Sequence, residues 1–357
     1  MADPSAIDIH YIIQTIEPVN TELLPTARHK IDNKTKPIGS LGRLEELALQ
    51  AALIQGDLNP RLDRKAMFVF AGDHGVAAEG VSAFPAEVTG QMVANFLSGG
   101  AAINVLCRHN DIDIRIVDMG VKVDFDDHPD LLQKKVGKGT RNFAVQEAMT
   151  AAEMDMALAN GMDVFLTENR KQKIDIVGLG EMGIANTTCA SAIISAVTNL
   201  PPEEAAGRGT GIDDAGLEHK AQVIRKALDF HRPDPADGFD ILRKIGGYEV
   251  AGIAGAVLAA ASCRTMVVLD GVISTAAGMI AYLINPAIKD CLVSGHRSVE
   301  SAQGAALAHM GLDPLIDFQM RLGEGTGAAL TIDIVDAACR IMREMASFED
   351  AGVSNKE

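Results

Sequence analysis

One carboxylate stands in a run with glycine at every second position, Arg321-Leu322-Gly323-Glu324-Gly325-Thr326-Gly327. Glycines reach backbone angles closed to other residues, and Gly323 and Gly325 would let a ligand approach the main chain closely. Behind the run, Leu330, Ile334, Ala337, Ala338, Ile341, Met345 and Phe348 recur at helical spacing. Glu324 therefore lies in a loop entering a helix, where backbone N–H groups are free. It can serve there as a general base, or stand as a solvated residue of a tight turn.

A second carboxylate sits in Gly178-Leu-Gly-Glu-Met-Gly183, formally G-x-G-x-x-G between a strand and a helix. That pattern suggests a dinucleotide fingerprint. Glu181 argues against it, because its charge would repel a pyrophosphate. The next candidate strand, near Ala205–Gly209, is weak and ends at Arg208 rather than at a ribose-binding acid. What survives is an anion site: N–H groups around Gly183–Ile184 and the hydroxyls of Thr187 and Thr188 can hold one phosphate. The competing reading is a helix cap with Asn186 and the threonines packing locally. Gly207-Arg-Gly-Thr-Gly-Ile-Asp213 with Lys220 behind it is a second glycine-rich loop, without the Gly-Lys-Ser/Thr ending of a P-loop. It suits a phosphate or ribose contact, or a solvated loop. Asp73-His74 and His296 fall at strand ends and are ambiguous; local hydrogen bonding accounts for them without a ligand. Ser82-Ala-Phe84-Pro85 offers an apolar wall, and Met92 follows at helical distance.

The elements that must position these residues form a pattern. Ala66–Ala71, Ile112–Val117, Ile174–Val177 and Met266–Leu269 are short β-branched or apolar runs. Each stops at glycine with an acid, and helical spacing follows. That is the signature of βα units around a parallel sheet, whose ligands bind beyond the C-terminal strand ends. Asp73, His74, Asp118, Glu181 and Asp270 would gather there. His10 to about Pro25 reads as a helical entry. Ser40 is placed to cap a helix carrying Leu41, Leu44, Leu47, Ala48 and Ala51, and Asn59-Pro60 marks a domain boundary. The tail Ser354–Glu357 is expected to fray.

Composition narrows the function classes. With 357 residues, 47% of them hydrophobic, the chain can build one large domain and a smaller one. A net charge of −16 and no basic stripe exclude nucleic acid as a natural partner. The five cysteines form no metal-ligand spacing, so no metal is expected; they fit free thiols in a reducing cytoplasm. Met1-Ala-Asp-Pro-Ser lacks the basic and apolar parts of a signal peptide. Val250–Ala261 and Val272–Ile284 are too short to span a membrane and read as buried helices.

Six stretches together resemble one family, the nicotinate-nucleotide–dimethylbenzimidazole phosphoribosyltransferases of cobalamin lower-ligand synthesis. They are Lys36-Pro-Ile-Gly-Ser-Leu-Gly-Arg-Leu-Glu45, Gly72-Asp-His-Gly-Val76, Gly178 to Thr188, Gly246-Gly-Tyr-Glu-Val-Ala-Gly252, Leu269-Asp-Gly271 and Arg321 to Ala328. The resemblance implies transfer of phosphoribose from nicotinate mononucleotide to a benzimidazole, with inversion at the sugar carbon and no cofactor. It implies Glu324 as the general base and Glu181 as a second carboxylate near the ribose. It implies Gly183, Asn186, Thr187, Thr188, Gly209 and Lys220 as phosphate and ribose contacts, Phe84 and Met92 as acceptor wall, and Gly323 and Gly325 as further substrate contacts. It also implies a Rossmann-like α/β domain over 61–325, a small helical domain from 1–60 with 326–357, and a homodimer.

One departure matters. Some members resembling this chain carry Ser and Gln where Phe84 and Met92 stand, so this acceptor wall is more apolar at those points. The expected acceptor is 5,6-dimethylbenzimidazole rather than a hydroxylated base, because a buried hydroxyl without a partner is costly. Two other readings compete: an NAD(P)-dependent oxidoreductase resting on Gly178–Gly183, and a nucleotide sensor that keeps the phosphate loop without turnover.

Overall fold

Seven parallel strands form the centre of the computed structural model, which describes residues 7–354. They are β1 (Lys65–Gly72), β2 (Asp113–Gly120), β3 (Leu131–Gln133), β4 (Ile176–Met182), β5 (Met266–Leu269), β6 (Leu292–His296) and β7 (Pro314–Ile316), in the order β3-β2-β1-β4-β5-β6-β7. The chain runs outward from β1 through β2 to β3, then returns to place β4 on the other side of β1. This reversal opens a crevice beyond the C-terminal ends of β1 and β4. In β1 every residue after Lys65 is buried, as a strand covered by helices on both faces requires.

The strand ends reach further than the periodicity suggests. β4 continues to Met182 and pairs Val69 with Gly180 and Phe70 with Glu181 across β1. Gly178 and Gly180 are therefore strand residues, and no glycine turn of a dinucleotide fingerprint exists there. No strand forms near Ala205–Gly209. Pro202–Ala205 is a short helical turn instead, started by a proline at its first position.

Both apolar runs are buried helices, Tyr248–Ser262 and Val272–Ile284. Among the described residues no helix is long and apolar enough to cross a membrane. The small residues of Tyr248–Ser262 serve packing inside the chain, against the helix Ala151–Lys171. A Cβ on Gly161 would lie 1.9 Å from Gly252 O, so only glycine permits this approach. The helix Ala151–Lys171 begins with a capping box in which Thr150 and Glu153 exchange hydrogen bonds.

The two ends of the chain meet. Lys34 and Ser347 form an antiparallel bridge, Thr35 N donates to Ala346 O at 3.0 Å, and Arg343 Nη1 donates to Pro60 O at 2.6 Å. The helix Arg43–Gln55 packs on the helix Thr326–Glu344. Ser40 does not cap the former; Gly42 occupies the cap position, with φ 53°. The latter helix also lies on the sheet, so its buried stripe is Ala328, Ile332, Val335, Ala338, Cys339 and Met342. Leu330, Ile334 and Ile341 are only half-buried at its edge. The six N-terminal residues and Asn355–Glu357, including most of the tail expected to fray, lie outside the described residues.

Candidate active site

Beyond the ends of β4, β5 and β6 lies a cavity of about 570 Å³. Glu181, Gly183, Asn186, Thr187, Gly209, Phe84, Met92, Gly323 and Glu324 all line it. Residues from separated stretches of the chain thus converge on one space. Thr188, Lys220 and Gly325 do not line it. Lys220 stands directly behind the wall, with Nζ donating to Thr187 Oγ1 at 2.8 Å and to Gly207 O at 3.0 Å. Thr188 is fully buried and its hydroxyl has no partner among the described residues.

The Glu324 loop is held in an uncommon backbone conformation. Gly323, Glu324 and Gly325 have φ of 82°, 64° and 94°. The left-handed region is costly for a glutamate and persists only when the surroundings impose it. Two contacts impose it here. Asp270, just past β5, accepts from Gly325 N at 3.0 Å, Gly327 N at 2.7 Å and Ala328 N at 3.1 Å. Its carboxylate thus caps the helix Thr326–Glu344 from a distant strand. On the other side the loop backbone rests on Gly180, where a Cβ would lie 2.2 Å from Glu324 O. Glu324 itself is buried, and its Oε2 has no hydrogen-bond partner among the described residues. Burial pushes its carboxyl up to about 6, against the pull of the Ile103 N–H and with the charge of Asp270 adding to the rise.

Glu181 faces Gly323, where a Cβ would meet its Oε1, and receives a hydrogen bond from Asn186 Nδ2. Burial, with the charges of Asp270, Glu249 and Glu324 adding to it, raises it to about 8 against the pull of the Asn186 hydrogen bond. The two cavity carboxyls therefore differ at neutral pH: Glu324 is mainly ionised, while Glu181 is mainly protonated. Burial also pushes Asp270 up, opposed by His296 and by its three N–H donors.

At the other end of the cavity the helix Asn186–Thr198 begins at Ala185, which has φ 75° and no side-chain cap. Of its first N–H groups, Asn186 N donates to Gly183 O at 3.1 Å and Thr188 N to Ala185 O at 3.0 Å, so those of Ala185 and Thr187 are the ones open to an anion. Ile184 N is not among them, since it donates to Thr89 Oγ1 at 3.1 Å. Because Lys220 donates to Thr187 Oγ1, the Thr187 hydroxyl can turn its own proton toward the cavity. Burial lowers Lys220 to about 8, although Glu300 favours its charge. Gly209, at φ 49°, fits against Thr187 where a side chain would clash. The anion end is thus a helix terminus, a hydroxyl and a buried cation.

The mainly apolar wall of the cavity, where the acceptor is expected, is Val81, Ser82, Phe84, Val88 and Met92. Ser82 is the hydroxyl on this wall, and it is engaged with Thr210 Oγ1 at 3.1 Å. Of the strand-end acids, Asp73 and Asp118 accept from nearby backbone N–H groups and lie outside the cavity. His74 pairs with Glu249 at 2.5 Å, with both side chains fully buried. His296 lines the cavity floor, with Nε2 3.8 Å from Asp270 Oδ1. Sequence reasoning missed Glu249 and Glu300. Glu249 stands in the stretch Gly246–Gly252 but received no role, while Glu300 falls at no predicted strand end and in no glycine-rich loop, so no local signal marked it. Among the described residues no three His, Cys, Asp or Glu side chains group as metal ligands.

A family model described as "Phosphoribosyltransferase" matches residues 16–353. The chain belongs to the nicotinate-nucleotide–dimethylbenzimidazole phosphoribosyltransferase family. An enzyme of that name from Geobacter sulfurreducens is 51% identical over 342 residues, covering 96% of this chain and 97% of the relative. The counterpart from Chloroflexus aurantiacus is 50% identical over 344 residues, covering 96% and 98%. The crystal structure of CobT from Thermus thermophilus superposes with a TM-score of 0.90 at 43% identity, covering 94% of this chain and all of that one. The match to the family model takes in every stretch that lines the cavity.

Proposed function

We propose that the protein transfers phosphoribose from nicotinate mononucleotide to 5,6-dimethylbenzimidazole, giving α-ribazole 5′-phosphate and nicotinate. The observation that carries this reading is Glu324: a buried carboxylate on the cavity wall, raised to about 6 and with Oε2 unpartnered among the described residues. The relatives' names supply the substrates.

The chemistry follows from the two ends of the cavity. The donor's phosphate docks on the N-terminus of helix Asn186–Thr198, with Thr187, Gly209 and the Lys220 charge behind them. Glu181, held by Asn186, orients the ribose hydroxyls. The bond between the sugar C1′ and the pyridine nitrogen breaks, and its electron pair leaves with the ring. That nitrogen is positive while attached and neutral once free, so departure needs no general acid. One benzimidazole nitrogen attacks C1′ from the opposite face, which inverts the carbon. The other nitrogen gives its proton to Glu324, whose pKa near neutrality suits a general base. Phe84 and Met92 seat the apolar rings. Holding donor and acceptor in line between these walls supplies much of the acceleration.

The test compares wild type with Glu324→Gln on nicotinate mononucleotide and 5,6-dimethylbenzimidazole, with products separated by chromatography. The variant should lose a factor on the order of 10² or more, as expected for a missing general base. An active wild type with an unchanged variant would move the base to Glu181. No product from wild type with any benzimidazole or purine would leave the nucleotide-sensor reading.

The same reading includes a cytoplasmic homodimer. Phe84 and Leu322 line the mouth of the cavity while 53% and 57% exposed, which favours a covering partner. Light scattering that returns a monomer mass at working concentrations would remove that part.

A further inference from the structure

Gly209 is pinned from two sides. Its N–H donates to Glu300 Oε1 at 2.9 Å, and its carbonyl accepts from Arg321 Nη1 at 3.2 Å. Arg321 is exposed, lines the cavity and makes no ion pair with the described residues. It belongs to the irregular stretch between β7 and the helix Thr326–Glu344, three residues before Glu324. The Glu324 end of that stretch is fixed by Asp270 and Gly180. The Arg321 end is tied to the rest of the site through Gly209. Gly209 in turn stands against Thr187 and close to Lys220 Nζ, which would be 3.5 Å from a Cβ there.

The guanidinium, held by a single carbonyl and by no carboxylate, therefore stands next to the anion end of the cavity while its backbone leads to the base. We propose that Arg321 is a positioning residue that couples the donor's phosphate to the placement of Glu324. The inference rests on the transfer reading above. A phosphate dianion at Thr187 and Gly209 gives the guanidinium a bidentate acceptor stronger than a single carbonyl. Closing on it draws the 321–323 stretch over the cavity and steadies the strained Glu324 backbone. The phosphate then contributes to kcat as well as to binding, as interactions made fully only in the transition state do.

The experiment compares two donors, nicotinate mononucleotide and the nucleoside nicotinate riboside, with dimethylbenzimidazole as acceptor. Wild-type turnover of the nucleotide is measured first, and its absence would refute the transfer reading itself. With wild type active, Arg321→Gln should lose about 10- to 100-fold in kcat/KM for the nucleotide, largely in kcat. Its kcat/KM for the riboside should stay within about 3-fold, since no phosphate is there to engage. Added guanidinium ion should restore part of the nucleotide rate and none of the riboside rate. Parallel losses on both donors would show a merely structural role and overturn the coupling. So would no loss on either donor, or a loss confined to KM. If Arg321→Gln does not fold, Arg321→Lys decides: it keeps the charge but loses the fork, and must also lose rate selectively on the nucleotide.

Discussion

Gly180→Ala should displace the base without touching its side chain. A Cβ at Gly180 would lie 2.2 Å from Glu324 O, 2.5 Å from Glu324 C and 2.6 Å from Gly325 N. All three are backbone atoms, so no flexible side chain can swing aside. Ordinary carbon–oxygen contact is roughly 3.3 Å, so the loop must retreat by about 1 Å. A displacement of about 1 Å at a reacting group costs on the order of 10² in rate, or about 2.7 kcal/mol in the barrier. Overpacking adds about 1–3 kcal/mol of lost stability. The assay is steady-state kinetics with both substrates varied, beside circular dichroism and thermal melting. Gly304→Ala is the control, since nothing lies within 4 Å of a Cβ there and the helix surface tolerates it. The expected outcome is a folded protein with kcat down about 100-fold and donor KM within a few-fold. A folded Gly180→Ala enzyme with wild-type kcat would refute the claim that β4 fixes the base loop.

Other consequences can be checked directly. The pH profile of kcat/KM should be bell-shaped. Glu324 works deprotonated, so the rate should fall about tenfold per unit below about 6, and Glu324→Gln should remove that limb. Lys220 works protonated and Glu181 as a neutral acid, so the rate should decline above about 8. A profile flat from about pH 5 to 7 would contradict the assignment. Glu249→Ala leaves His74 without its buried partner and should cost about 3–5 kcal/mol by denaturant titration. A loss below about 1 kcal/mol would mean that this buried contact does not hold the fold together. With Phe84 and Met92 on the wall and Ser82 engaged with Thr210, 5,6-dimethylbenzimidazole should surpass a hydroxybenzimidazole in kcat/KM. Equal or reversed values would count against an apolar acceptor pocket.

Local pattern made much of this protein legible. Apolar runs ending in glycine and an acid marked β1, β2, β4 and β5, because a strand buried on both faces must be apolar and its C-terminal end must turn. Glycine spacing marked the Glu324 and Gly207–Asp213 loops, because only glycine tolerates their backbone and close contacts. The bounds of β4 were not legible. Gly178 and Gly180 look like turn residues, yet they pair in the sheet and are glycine because Met67, Ile332 and the Glu324 backbone leave little room for a Cβ. The buried stripe of Thr326–Glu344 was also displaced, since that helix must face both the sheet and the Arg43–Gln55 helix.

The sequence by itself determined a parallel α/β sheet, an acidic composition, and two carboxylates, Glu181 and Glu324, set in glycine-rich stretches. Each rests on residue type and short-range spacing. Only the tertiary structure decided what those carboxylates are. The burial and neighbours that separate Glu324, near 6, from Glu181, near 8, come from Asp270, Glu249, Asn186 and Ile103. Most of these lie far away in the chain. Protonation is set by which charges and N–H groups share a low-dielectric space, and that is a property of the packed molecule rather than of any segment.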